Sequence, residues 1–147
     1  MEPSTGNDFD EMLMPMLGLA EQMLEKRGSF HPFGARLAAS GSLAVIDVAR
    51  TLDQPSNPLI LDALYATFRL EARAGTIKAC AVCWDAVVPK EEGGGLTDAI
   101  VIGLEHREGD PKVVLCTYER APSGDLHFHD PITAVGRRHV FGTVLLS

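Results

Sequence analysis

The chain has 147 residues, of which 46% are apolar and 22% are charged, and this size and composition predict one globular domain. Its formal net charge of −7 argues against general nucleic-acid binding, because an acidic surface is repelled by phosphate backbones. The same acidity fits a soluble protein, or one whose partner is basic.

The N-terminal sequence and the cysteine count bear on location. The first residues lack the positive and apolar stretches of a signal peptide, and no apolar run approaches the roughly 18 residues of a membrane helix. Three cysteines cannot all pair within one chain. We therefore expect a cytoplasmic protein with reduced thiols, no membrane contact and no cofactor.

The chain opens with a tail and an amphipathic helix. Residues 1–7 are small and polar and are predicted to be a flexible tail before a single α+β domain over 8–147. Gly28 is a suitable C-terminal cap for the helix, whereas Pro15 predicts either a kink or a start near Met14. One apolar stripe recurs at helical spacing: Phe9, Leu13, Met16, Leu17, Ala20 and Leu24.

A β-hairpin and a second helix follow. Residues 30–39 and 42–50 alternate as strands around a Ser40-Gly41 turn, and the second strand is apolar on both sides, which predicts a central position. A helix over 58–74 is indicated by Pro58 in its first turn and by Gly75 as its stop.

The remaining sequence predicts β-structure. Turn-forming segments rich in Gly, Pro, Asp and Ser separate the strands at hairpin spacing. The predicted fold class is α+β, with a single antiparallel sheet (helix, β-hairpin, helix, then a four- or five-stranded meander) and the helices packed on one face. The predicted strands lie near 76–88, 97–107, 112–120, 125–130 and 138–145.

Cys80 and Cys83 have the spacing of a redox or zinc pair, but they lie within a predicted strand. Side chains three residues apart on a strand point to opposite faces, so the two sulfurs would diverge. The simpler interpretation is two small buried hydrophobic residues.

His127 and His129 are the candidate metal ligands, because two residues two apart on a strand share a face. Asp125 and Asp130 are candidate oxygen ligands, and His139 or His106 is a candidate third imidazole. The alternative is an exposed histidine pair on an edge strand.

Two further candidate binding sites come from short motifs. Glu105 and His106 end a very apolar strand, and a Glu–His pair brought together by folding could do acid–base work. The alternative is a solvated strand end. Phe30 and Phe33 could form an exposed aromatic patch for a partner, or they could pack under the first helix.

Four short segments together resemble a group of small uncharacterised bacterial proteins. These proteins carry an F-x-P-F-G/A motif near the start and an A-I-x-V-x-L-E-H strand later. The resemblance implies a bacterial cytosolic protein and no catalytic residues. The order of helices and strands is also similar to that of profilin-like and roadblock-like domains. The matching segments are 30–35, 75–79, 98–107 and 117–118.

The sequence leaves two functions open. The first is a non-catalytic protein-interaction module, a homodimer of the immunity-like or chaperone-like kind, whose open meander leaves sheet edges that need cover. The second is a small-ligand or metal-binding enzyme that uses the His127–His129 strand with Glu105 and His106.

Overall fold

A computed structural model describes residues 5–90 and 92–142. Two long helices and one antiparallel sheet make up the domain, with the strand order β2-β1-β3-β4-β5-β6 and with β7 also paired to β5. The elements are α1 (Thr5–Arg27), β1 (Phe33–Ala38), β2 (Leu43–Ile46), a 3₁₀ turn (Ala49–Thr51), α2 (Asn57–Ala74), β3 (Ile77–Pro89), β4 (Leu96–His106), β5 (Gly109–Arg120), β6 (Leu126–Phe128) and β7 (Ile132–Val135).

The predicted α+β class, with a single antiparallel sheet that ends in a meander, is confirmed. In the described part of the chain, neither helix is long and apolar enough to cross a membrane.

Both helices end where the sequence signals predict. At α2, the hydroxyl oxygen of Ser56 accepts a hydrogen bond from the Leu59 amide at 3.4 Å, and Gly75 closes the helix in the left-handed conformation. The α1 helix ends at Gly28, whose amide donates to the Leu24 carbonyl at 2.8 Å. However, α1 runs unbroken through Pro15 from Thr5, so the helix includes residues 5–7 of the predicted tail.

The two helices pack against alternate side chains of the central strand β3. Ala79, Ala81 and Cys83 contact the α1 cluster, whereas Cys80 and Val82 contact the α2 cluster. Alternate side chains of a strand point to opposite faces, so each helix covers its own face of β3. Both sides of β3 are apolar, which accounts for the two clusters. The predicted divergence of Cys80 and Cys83 is confirmed.

The position of β2 differs from the prediction. It lies at the sheet edge and pairs with β1 alone, although its apolar sequence predicted a central strand. Leu43 and Val45 are accordingly exposed. Strand order depends on pairing between distant segments, so apolar character alone did not identify the central strand.

The C-terminal part of the sheet also departs from the prediction. An unpredicted strand, β7, pairs with residues 112–115 of β5, while β6 pairs with residues 118–120 of the same strand. Residues 138–142 of the strand predicted over 138–145 are not extended, and 143–145 lie outside the described residues.

Gly34 sets the distance between β1 and α2. A Cβ at this position would lie 2.8 Å from Phe68 Cζ and 3.1 Å from Leu64 Cδ2, and both side chains are fully buried. The absence of a side chain at Gly34 therefore lets the Phe68 ring rest directly on the strand.

We expect Gly34→Ala to destabilise the fold by about 1–3 kcal/mol, because the added methyl group overpacks a closed core. Gly18→Ala is the matched control, since a Cβ there meets nothing within 4 Å inside α1. This control should stabilise the helix by about 0.5–1 kcal/mol. Urea unfolding measures both changes, and equal midpoints for the two variants would contradict the packing argument.

Candidate functional site

A cavity of about 280 Å³ lies on the face of the sheet that α2 covers in part. Strands β3, β4 and β5 form its floor, α2 contributes one wall, and the segment after β7 contributes the opposite wall. Its lining residues are mainly apolar, with charged side chains among them: Tyr65, Cys80, Ala81, Val82, Trp84, Gly103, Glu105, Lys112, Val113, Val135, Gly136, Arg137 and His139.

Glu105 holds the wall after β7 in place. Its side chain is only 4% exposed, and its carboxylate accepts hydrogen bonds from three consecutive backbone amides. The amide of His139 donates at 2.9 Å, that of Val140 at 3.0 Å and that of Phe141 at 3.2 Å. These bonds stabilise the buried charge, which would be costly to bury without partners.

His139 completes the wall by contacting α2. Its imidazole stacks on the Tyr65 ring with a centroid separation of 4.5 Å, and its carbonyl accepts a hydrogen bond from Arg69 Nε at 2.6 Å. Burial and the nearby Glu105 carboxylate raise the pKa of Tyr65 to about 12. The Tyr65 hydroxyl therefore stays protonated at neutral pH and can donate a hydrogen bond.

Trp84 and Gly103 shape the apolar floor. They lie near each other on neighbouring strands, and a Cβ at Gly103 would meet the indole of Trp84 at 3.8 Å. Trp84 is partly exposed and is the one tryptophan in the sequence. The indole is consequently a local optical reporter of this cavity.

Arg137 lines the cavity and is solvent-exposed. Lys112 borders the cavity near Gly136 with its backbone, but its side chain is on the α1 face of the sheet, as is that of its strand partner Leu104. Within residues 5–90 and 92–142, neither forms an ion pair with a carboxylate. The Glu105 carboxylate is occupied by the three amides. The cavity thus combines an apolar floor with one exposed cation, Arg137, and one buried carboxylate, Glu105.

The cysteines do not supply a nucleophile or a metal ligand set. Cys80 lines the cavity, but burial and the Glu105 charge raise the pKa of its thiol well above the usual value. Cys83 is buried on the other face, where burial and Asp85 raise its pKa as well. Both thiols are therefore protonated at neutral pH and poorly nucleophilic.

His106 lies on the face that α1 covers, away from Glu105. It is 1% exposed, and its Nδ1 accepts a hydrogen bond from the Glu108 amide at 3.0 Å. The proton is therefore on Nε2, which lies 2.8 Å from Asp8 Oδ2; Lys78 Nζ lies 3.4 Å from the same oxygen. His106 thus attaches the start of α1 to the sheet, and the structure does not bring the Glu–His pair together.

His127 and His129 do lie side by side, with ring centroids 5.0 Å apart, and both are exposed. Glu119 Oε2 is 3.6 Å from His129 Nε2. No group of three or more His, Cys, Asp or Glu side chains among the described residues is placed to hold one metal ion. The metal site remains a prediction that rests on this pair.

Phe30 and Phe33 pack together as a T-shaped pair with centroids 5.8 Å apart. Phe33 is buried and Phe30 is partly buried against the α1 cluster. This arrangement is the packing alternative of the sequence analysis, in which the two rings lie under the first helix.

A second candidate surface is the outer side of α2. Successive residues of an α-helix are rotated by roughly 100° about its axis. On this basis, one side of α2 carries a stripe of apolar residues that points away from the core. Leu59 is 44% exposed and Leu70 is 67% exposed. This outer stripe consists of Leu59, Ala63, Ala66, Leu70 and Ala74, which recur at steps of three and four residues.

Sequence reasoning missed both surfaces, for different reasons. The outer stripe was visible as a second heptad-spaced pattern in α2 beside the core stripe. The cavity was not visible, because Glu105 and Arg137 are far apart in sequence and their proximity depends on the course of the chain after β7.

Comparison of the chain with protein families, with curated proteins and with solved structures found no match.

We expect Glu105→Gln to loosen the segment after β7, because an amide group can accept at only one of its two terminal atoms. The loss should be about 1–3 kcal/mol, the usual cost of leaving a buried donor unpaired. Hydrogen exchange should speed up selectively at the amides of His139, Val140 and Phe141. Glu108→Gln, at an exposed position in the turn between β4 and β5, is the control. Unchanged exchange at those three amides in the Glu105 variant would contradict this role.

Proposed function

We propose that this protein is a non-catalytic protein-interaction module that assembles as a homodimer through the outer stripe of α2. The observation that carries the proposal is this exposed, heptad-spaced apolar stripe on a helix whose other side is fully packed. Contiguous apolar residues on a surface mark interaction sites more often than isolated ones do.

The stripe fits a second copy of itself in antiparallel orientation. A two-fold axis between Ala63 and Ala66 places Leu59 of one chain opposite Leu70 of the other, at both ends of the contact. The small alanines in the middle allow the two helix backbones to approach closely. Such a self-complementary contact needs no further sequence feature.

The charges beside the stripe fit the same arrangement. Asp62 lies on one flank, and antiparallel packing puts it near Arg69 of the second copy, twice by symmetry. No described residue forms an ion pair with Asp62 within the chain. The α2 helix holds two acidic and two basic residues (Asp62, Arg69, Glu71 and Arg73), so it carries no net charge although the whole chain is acidic.

The positions of the candidate catalytic and metal-binding side chains also support a non-catalytic role. Glu105 is bonded to backbone amides and His106 to Asp8, on opposite faces of the sheet. His127 and His129 lie on β6 and just beyond it. These side chains do not converge in one concave site, which an enzyme built on them would need.

Leu70→Glu should weaken the dimer roughly 100-fold, since each buried leucine is worth ~1.5 kcal/mol or more and the contact contains two copies. Native mass spectrometry and light scattering over a concentration series measure the change. Leu96→Glu is the matched control, because Leu96 is 66% exposed and Leu70 is 67% exposed. At concentrations at which the wild type is monomeric, both variants should unfold at the wild-type denaturant midpoint, because neither leucine belongs to the core.

Two results would overturn the proposal. One is a wild-type protein that stays monomeric at every concentration. The other is a Leu96→Glu variant that dissociates as readily as Leu70→Glu, which would place the contact elsewhere.

A further inference from the structure

We propose that Glu119, His127 and His129 bind one divalent metal ion of the zinc type across strands β5 and β6. None of the three residues belongs to α2, so the site neither uses nor requires the proposed dimer. The inference makes the metal site predicted from the histidine spacing specific, because it adds Glu119 as the third ligand and restricts the class of ion.

The pairing of β5 with β6 places the three side chains on one face of the sheet. Glu119 lies directly opposite His127, and the His129 amide continues the pairing with a 2.9 Å hydrogen bond to a β5 carbonyl. Tyr118 and its strand partner Phe128 pack with the α1 cluster. Because side chains alternate along a strand, Glu119, His127 and His129 lie together on the opposite face.

The distances between these side chains resemble those between ligands of one ion. Zinc binds imidazole nitrogen and carboxylate oxygen at roughly 2.0–2.2 Å, so two ligand atoms of a tetrahedral site lie about 3.4 Å apart, and two imidazole centroids about 5 Å apart. Glu119 Oε2 is 3.6 Å from His129 Nε2, and the ring centroids of His127 and His129 are 5.0 Å apart. Both spacings are therefore suited to a shared ion.

The exposure of the side chains allows them to close on the ion. Among the described residues, no three such groups already surround one point, so binding requires rotation of these side chains. The His129 side chain is 43% exposed and that of Glu119 is 58% exposed, and His127 is exposed as well. Exposed side chains change rotamer within nanoseconds, whereas strand pairing keeps the three backbone positions fixed.

The donor atoms select the class of ion. Imidazole nitrogen suits zinc, copper and nickel, whereas magnesium and calcium prefer oxygen ligands. Two histidines and one carboxylate leave at least one coordination position open. Glu119 and His129 also line a cavity of about 460 Å³, which gives water access to that position. The net charge of −7 further favours a cation.

A bound ion would connect two strands that share few backbone hydrogen bonds. The β6 strand pairs with β5 over only three residues. Since one ligand lies on β5 and the other two lie on or next to β6, the ion would cross-link the strands. Binding to the folded state should therefore raise the thermal stability of the protein.

The first experiment is a calorimetric titration of the untagged full chain with zinc chloride, after removal of trace metals by chelator and dialysis. Magnesium chloride is titrated in parallel as the control ion. We expect saturable binding of one zinc ion per chain and no saturable binding of magnesium. Zinc should also raise the melting temperature, and chelator should reverse the increase.

Single variants test the three ligands. His127→Ala, His129→Ala and Glu119→Gln should each weaken zinc binding by about tenfold or more, since even residues that only support metal ligands typically cost that much. All three side chains are exposed, so the melting temperatures without zinc should equal that of the wild type. His31→Ala, which removes an exposed histidine elsewhere, is the matched control and should bind zinc as the wild type does.

Three results would overturn the proposal. They are the absence of saturable zinc binding, wild-type zinc affinity in any of the three ligand variants, and an equal loss of affinity in His31→Ala. None of these results bears on the dimer, because Leu70→Glu alters α2 and leaves β5 and β6 unchanged.

Discussion

The hydrogen bonds from three consecutive amides to the Glu105 carboxylate are the constraint on which the α2 side of the molecule depends. They fix the chain after β7 against the sheet, and this places Val140 and Phe141 in the core beneath α2. The same bonds position His139 against Tyr65. A buried carboxylate is costly without partners, so the charge and the segment stabilise each other. The cavity is what remains between that segment and the helix.

Three sides of the α2 helix have different structural roles. Ile60, Leu64 and Phe68 fill the core, and Gly34 admits the Phe68 ring at close range. One flank, with Tyr65, forms a wall of the cavity. The remaining side is the outer stripe, on which Leu59 and Leu70 are exposed. Because the helix is fixed by its core side and by the Arg36–Glu71 ion pair at 2.6 Å, the two other sides are presented in fixed orientation.

Local sequence patterns predicted the helices and strands. Their positions in the fold, by contrast, depend on pairing between segments that are distant in sequence. The α2 boundaries follow from Pro58 and Gly75, and the divergence of Cys80 and Cys83 follows from strand alternation alone. The edge position of β2 could not be predicted, because an apolar strand is equally suited to the edge and to the centre of the sheet. The residues around Val140 were apolar enough to suggest a strand, but their amides bond to a carboxylate 34–36 residues away. No local pattern reports such a partner.

The alternation of β4 also explains why adjacent chemical groups do not become a catalytic pair. Glu105 and His106 are neighbours in sequence, and for that reason their side chains lie on opposite faces of the sheet. Each face offers a different partner: backbone amides on the α2 side, and Asp8 of α1 on the other. Both groups are therefore saturated by contacts that hold an element to the sheet. The outer stripe of α2 takes no part in either contact, and the proposed homodimer is based on that stripe.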